Sequence, residues 1–105
     1  MSEDKHNFQP LLEISLLGRF RVEIDRIAID EKRWSRRSAK SLVKLLALNP
    51  HHTLHREQIM DLMWAEESSE TALNNLNKAI HAARRAFEPN LTKGSDSRFI
   101  LTSNN

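Results

Sequence analysis

The stretch ETALNNLNKAIHAARRAFE, residues 70–88, decides how the rest of the chain is read. Within it Leu73, Leu76, Ile80, Ala83 and Phe87 recur at spacings of three and four. At helical period these positions form one apolar stripe, about a third of the circumference wide. Asn74, Lys78, His81 and Arg85 fall on the opposite side, Asn75 and Ala82 flank them, and Arg84 sits nearer the buried edge. From Thr71 through Phe87 there is no carboxylate. A surface helix that only needs solubility commonly mixes Glu with Lys, because opposite charges one turn apart support each other. This helix lacks acids where a polyanion would lie, and Asn and Arg have the forked donor geometry that fits base edges in a major groove. A solvated helix with a chance charge pattern would carry the same residues, so the neighbouring segments have to decide.

Upstream, Ala65-Glu66-Glu67-Ser68-Ser69 is a polar loop, and Ser68 or Ser69 can cap the long helix. Before it, Arg56 to Trp64 reads as a short helix with Ile59, Leu62 and Met63 inward. His51-His52-Thr53-Leu54-His55 reads as a minor strand. Its three histidines fit no usual metal-ligand spacing and have no acidic second shell, so no metal or other cofactor is expected. Further upstream, Glu31 to Lys40 is the densest basic stretch, with Ser35 as a capping candidate and Arg36 and Arg37 in the first turn of a helix. Cations there oppose the helix dipole, so the pair reads either as a solvated turn or as phosphate contacts. Ala39, Leu42, Val43 and Leu46 then repeat at helical spacing, with Leu45 and Leu48 widening the buried face, up to Asn49-Pro50.

The front of the chain has a different period. Leu12, Ile14, Leu16, Phe20, Val22 and Ile24 alternate with polar residues, which marks strands with one buried face. Gly18 reads as a bulge or bend, and the parity flips after Asp25-Arg26, so a turn lies there before Ile27 and Ile29. Residues 1–10 read as a flexible lead-in. Beyond Phe87, Pro89 and Gly94 bracket a loop, Arg98 to Thr102 reads as a strand, and Ser103-Asn104-Asn105 looks like the start of a hairpin turn.

Composition narrows the function classes. One hundred and five residues suffice for one domain with a core of its own, and the absence of cysteine removes disulfide frameworks and thiolate zinc sites. No run is apolar enough for a membrane span, and the start MSEDKHNF has no apolar signal region, so a cytoplasmic protein is expected. The net charge of +2 is uneven: residues 1–31 carry four Lys/Arg and seven Asp/Glu, while residues 32–105 carry twelve and seven. The rear two-thirds would therefore face an anionic partner. Two glycines in the whole chain leave almost no scope for a phosphate-cradling loop, and no nucleophile elbow or paired-carboxylate motif is present, so an enzyme is not expected.

The order is sheet, helix, small strand, short helix, long helix, strand and turn. A short helix joined by a compact loop to a longer helix with a basic outer face is the helix-turn-helix arrangement. On LLGRFRVEID (16–25), SRRSAKSLVKLLALNP (35–50), REQIMDLMW (56–64), ALNNLNKAIHAARRAFEP (72–89) and RFILT (98–102), the chain resembles the OmpR/PhoB-type winged-helix domain, in the version found at the front of SARP and bacterial transcriptional activator proteins. The resemblance implies an α+β winged helix-turn-helix over residues 11–105: an N-terminal antiparallel sheet, three helices and a C-terminal wing hairpin, here truncated as in a fragment of a longer regulator.

It also implies that the third helix enters the major groove of double-stranded DNA, the wing reaches a minor groove, and tandem protomers occupy direct repeats. Carried over to this chain, the third-helix candidates are Asn74, Asn75, Lys78, His81, Ala82, Arg84 and Arg85; Ala82 stands where related domains often hold a basic residue. Arg36, Arg37, Arg56, Arg85 and Arg98 are expected to anchor phosphates, with Asn74, Lys78 and His81 reading sequence. His55 stands where a capping serine is common, so the second helix is expected to start less firmly. The alternative is a winged helix that binds protein rather than DNA, through loop 65–69, where Glu66 and Glu67 would repel phosphates, and the front sheet; beside DNA binding, the same loop is a candidate contact for RNA polymerase.

Overall fold

A computed structural model of the chain describes residues 11–16, 19–89, 99, 100 and 102. The fold is α+β: a three-stranded antiparallel sheet in the order β1-β2-β3, followed by three helices. Strand β1 (Leu12–Ser15) pairs with β2 (Arg21–Ile24), placing Leu12 opposite Ile24 and Ile14 opposite Val22. The period-two pattern thus becomes one apolar face, with Val22 buried and Leu12, Ile14 and Ile24 packed against the core. Strand β3 (Ile27–Ala28) returns through a two-residue turn at Asp25 and Arg26, whose φ angles are 54° and 69°. Two consecutive left-handed residues make the mirror-image turn whose twist suits a tight hairpin. Asp25 is fixed there by Leu11: its backbone N–H donates to the Leu11 carbonyl, and its Oδ1 accepts from the Leu11 N–H, both at 2.8 Å. The turn explains the parity flip: Ile27 pairs with Ile24 and the Ile29 N–H donates to the Val22 carbonyl, so odd positions of the returning chain share the face of even positions in β2, with Ile29 buried and Ile27, on the edge strand, 72% exposed. The bend expected at Gly18, the lead-in 1–10, Arg98 and the turn 103–105 lie outside the described residues; Phe99, Ile100 and Thr102, which are described, are not in a strand.

A 3-10 turn at Glu31–Arg33, capped by Asp30 Oδ1 accepting from the Lys32 N–H at 2.9 Å, leads into helix α1 (Arg37–Leu48). The expected Ser35 cap is not formed. Arg36 occupies the cap position and makes no side-chain cap bond, because the extended residues after the 3-10 turn delay the helix by one position. Ala39, Leu42 and Val43 are buried as the spacing requires, but Leu48 is 68% exposed, since the last turn of α1 runs past the core.

The minor strand expected at residues 51–55 is absent. The chain instead turns at Asn49–His52, with His52 at φ 53° and its Nδ1 3.0 Å from the Leu46 carbonyl at the end of α1. Helix α2 (Arg56–Met63) begins at His55, whose backbone N–H donates to Gln58 Oε1 at 3.1 Å, so the residue one turn ahead supplies a closing bond where a serine hydroxyl is common. Ile59, Met60 and Met63 carry its inner edge. Leu62 lies off that stripe and is 64% exposed, contrary to its expected inward position.

Helix α3 (Ser69–Phe87) is capped by Ser68, whose Oγ accepts from the Thr71 N–H at 3.1 Å. It packs on both other helices, most extensively on α1. An aromatic row runs through the core beside it: Phe20 to Trp34 at 6.1 Å, Trp34 to Phe87 at 5.8 Å and Phe87 to Phe99 at 5.8 Å, the last two edge-on. Sheet, helices and the residues after α3 therefore share one core.

Candidate nucleic-acid interface

The exposed arc of α3 holds Asn74, Asn77, Lys78, His81 and Arg85. Four of these five are sequence-derived candidates, and the fifth, Asn77, is one that periodicity passed over. The arc is turned relative to expectation. Ala82, expected on the outer flank, is buried, and Asn75 beside it is half-buried. On the other flank Leu73, expected in the apolar stripe, is 40% exposed. The cause lies in the small residues. Ala79, Ala82, Ala83 and Ala86 are all buried, and α1, whose Ala39 is also fully buried, is the element α3 packs on most. Alanine fills little volume, so it buries completely where backbones approach closely. A helix with alanines on one shoulder rolls that shoulder inward and exposes the other. The signal for Asn77 was its position three residues after Asn74 and four before His81, on the shoulder lacking alanine.

Arg84 leaves the outer arc. It is half-buried and its Nε donates to the Ile100 carbonyl at 3.0 Å. Arg56, the first residue of α2, is exposed, and its Nη1 lies 3.5 Å from Asn77 Oδ1, which brings a guanidinium beside the amides of α3. Arg36 and Arg37 are exposed at the start of α1. Two other cations are already paired with acids: Lys40 with Glu31, and Arg21 with Glu23 at 2.7 Å. Lys44 sits over the Phe20 ring at 5.0 Å. Glu66 and Glu67 lie in the exposed turn before α3, off the helical arc itself.

Beside α3 runs an open groove with apolar walls from Leu46, Leu54, Ile59, Leu76, Ile80 and Ile100, with His51, His52 and His55 at its margin. Among the described residues no acid lines it. Among the described residues no group of three His, Cys, Asp or Glu is placed to hold a metal ion, and no helix is long and apolar enough to cross a membrane.

What the arrangement can do is present amide, imidazole, ammonium and guanidinium donors on one convex helical ridge, with further guanidinium groups at the starts of two other helices. That is a surface for a polyanion whose edges carry hydrogen-bond acceptors. Comparison with curated proteins and with solved structures gave no match. The family described as "Transcriptional regulatory protein, C terminal" matches residues 33–105, from the last residue of the 3-10 turn through all three helices and beyond. This chain therefore belongs to that family of OmpR/PhoB-type winged-helix domains, which bind DNA in transcription regulation.

Proposed function

We propose that the domain binds double-stranded DNA sequence-specifically as the recognition module of a cytoplasmic bacterial transcription regulator, with α3 in the major groove and no catalytic role. The observation that carries this reading is the exposed arc Asn74, Asn77, Lys78 and His81, free of carboxylates, with Arg56 alongside. Asn74, Asn77, Lys78 and His81 read base edges in this arrangement. Arg36, Arg37, Arg56, Arg85 and Arg98 anchor phosphates and set the register without carrying sequence information. Tandem protomers on direct repeats follow as the mode of assembly. A second surface, for a protein partner such as RNA polymerase, is favoured by the exposed Leu62 and Leu73 on either side of the acidic turn Glu66–Glu67.

The test is a fluorescence titration with duplex DNA at several salt concentrations. Contact with about five to seven phosphates gives a slope of log affinity against log salt of roughly −4 to −6. Lys78→Ala should weaken a selected site more than bulk DNA, with an unchanged melting curve. A flat salt response, or parental affinity in Lys78→Ala, overturns the reading in favour of the protein-binding surface.

A further inference from the structure

The C-terminal end of α3 is held from two directions. On one side the Arg33 Nη2, from the 3-10 turn, donates to the Phe87 carbonyl at 3.4 Å, and Trp34 stands edge-on to the Phe87 ring. A guanidinium at the last carbonyls of a helix also meets the negative end of its dipole. On the other side Phe99 stands edge-on to Phe87, and Arg84 Nε donates to the Ile100 carbonyl. Arg84 is half-buried and Ile100 is buried, so this bond lies in a partly desolvated setting where a charged donor counts for more than on the surface. The neighbouring Arg85, one position on, is exposed. Two adjacent arginines with the same charge therefore have different surroundings.

We propose that Arg84 is a positioning residue for DNA binding. It ties the chain at residues 99–100 to the recognition helix, so that these residues and the helix keep one arrangement when DNA binds, and it does not itself contact phosphate. The proposal rests on the DNA-binding reading above and adds the division of labour between Arg84 and Arg85. Its physical basis is geometric. The Nε–H of arginine lies in the plane of the guanidinium and points out from its side, so a bond made through it fixes the orientation of that plane. Lysine has no equivalent donor and cannot reproduce the bond by carrying the same charge.

The experiment compares the parent with Arg84→Gln, Arg84→Lys and Arg85→Gln, using a duplex selected by the parent from a random pool. The cysteine-free chain allows a second readout: Thr102→Cys carries a single nitroxide label whose spectrum reports the mobility of the segment. The expected result is that Arg84→Gln and Arg84→Lys both lose about tenfold in affinity for the selected duplex, the order of one charged hydrogen bond. Their salt slopes should match the parent's, and their labels should become more mobile without DNA. Arg85→Gln should leave the label unchanged and make the slope about one unit shallower. A slope about one unit shallower in Arg84→Gln, rescue of affinity by Arg84→Lys, or a label unaffected in both variants overturns the proposal. A parent that binds no duplex at any salt overturns the DNA reading instead, and the label then judges the tether alone.

Discussion

Arg26 sits at φ 69° in the second position of the β2–β3 turn, where glycine is the residue best suited to left-handed backbone. A side chain there meets the steric resistance that left-handed residues feel, of the order of 1–2 kcal/mol. Asp25 at the first position has its two bonds to Leu11 to hold it, whereas Arg26 is exposed. Arg26→Gly should raise stability by about 1 kcal/mol, less what glycine's greater freedom costs in the unfolded chain. Urea denaturation at equilibrium measures it; a lower midpoint would mean that the arginine side chain contributes more than its backbone costs. Residue by residue, the periodic patterns located Val22, Ala39, Leu42, Val43, Ile59, Leu76, Ile80 and Phe87 in the core. They misplaced Leu48, Leu62, Leu73 and Ala82. Those four lie at the ends or shoulders of apolar stripes, where burial depends on how far a neighbouring helix extends.

At the scale of elements, the three helices start in three ways. Ser68 caps α3 with its own hydroxyl, α2 begins with the reciprocal Gln58 bond, and α1 begins at Arg36 with no side-chain cap. The uncapped start belongs to the helix with the most buried entry sequence, since Trp34 and Ala39 fix it by packing. Ser68 stands in the opposite situation: it is exposed, as are residues 69–71 after it, so the cap carries a larger share in holding the first turn of α3. Ser68→Ala should therefore cost about 1 kcal/mol, while Ser35→Ala, at a position that forms no cap, should cost almost nothing. Thermal melts of the two variants side by side decide this, and equal losses would contradict the assignment. Since the first turn of α3 also carries the loop 65–69 beside it, Ser68→Ala should speed amide exchange there before it affects the centre of the helix.

For the whole molecule, Phe87 is the residue on which the parts converge. Its ring meets Trp34 before α1 and Phe99 after α3, and its carbonyl accepts from Arg33. Phe87→Ala should cost about 3–5 kcal/mol. In a small domain that is a large share of the total, so much of the population should unfold at ordinary temperature. The loss should be cooperative: Trp34 fluorescence, read with Trp64→Phe as background, and helical circular dichroism should fall together on heating. A variant that keeps its helices while Trp34 alone becomes solvated would show that sheet and helices are separately stable.

The front antiparallel sheet, the three helices in their order and the basic outer face of residues 70–88 were legible in the sequence, while the minor strand read at residues 51–55 is not formed. The legible features are written in local period and composition: alternation for the sheet, three-and-four spacing for the helices, and the missing carboxylates for the exposed face; the family was legible through the resemblance of whole stretches. Local period does not say how far a helix rolls on its neighbour. Packing of the alanine shoulder of α3 against the rest of the core decided that, burying Ala82 and presenting Asn77 and Leu73. Nor could charge alone separate Arg84 from Arg85. The two residues are chemically identical and adjacent; helical period sets Arg84 nearer the buried edge, and the chain returning at Ile100, sixteen residues after Arg84, supplies the carbonyl that its Nε meets.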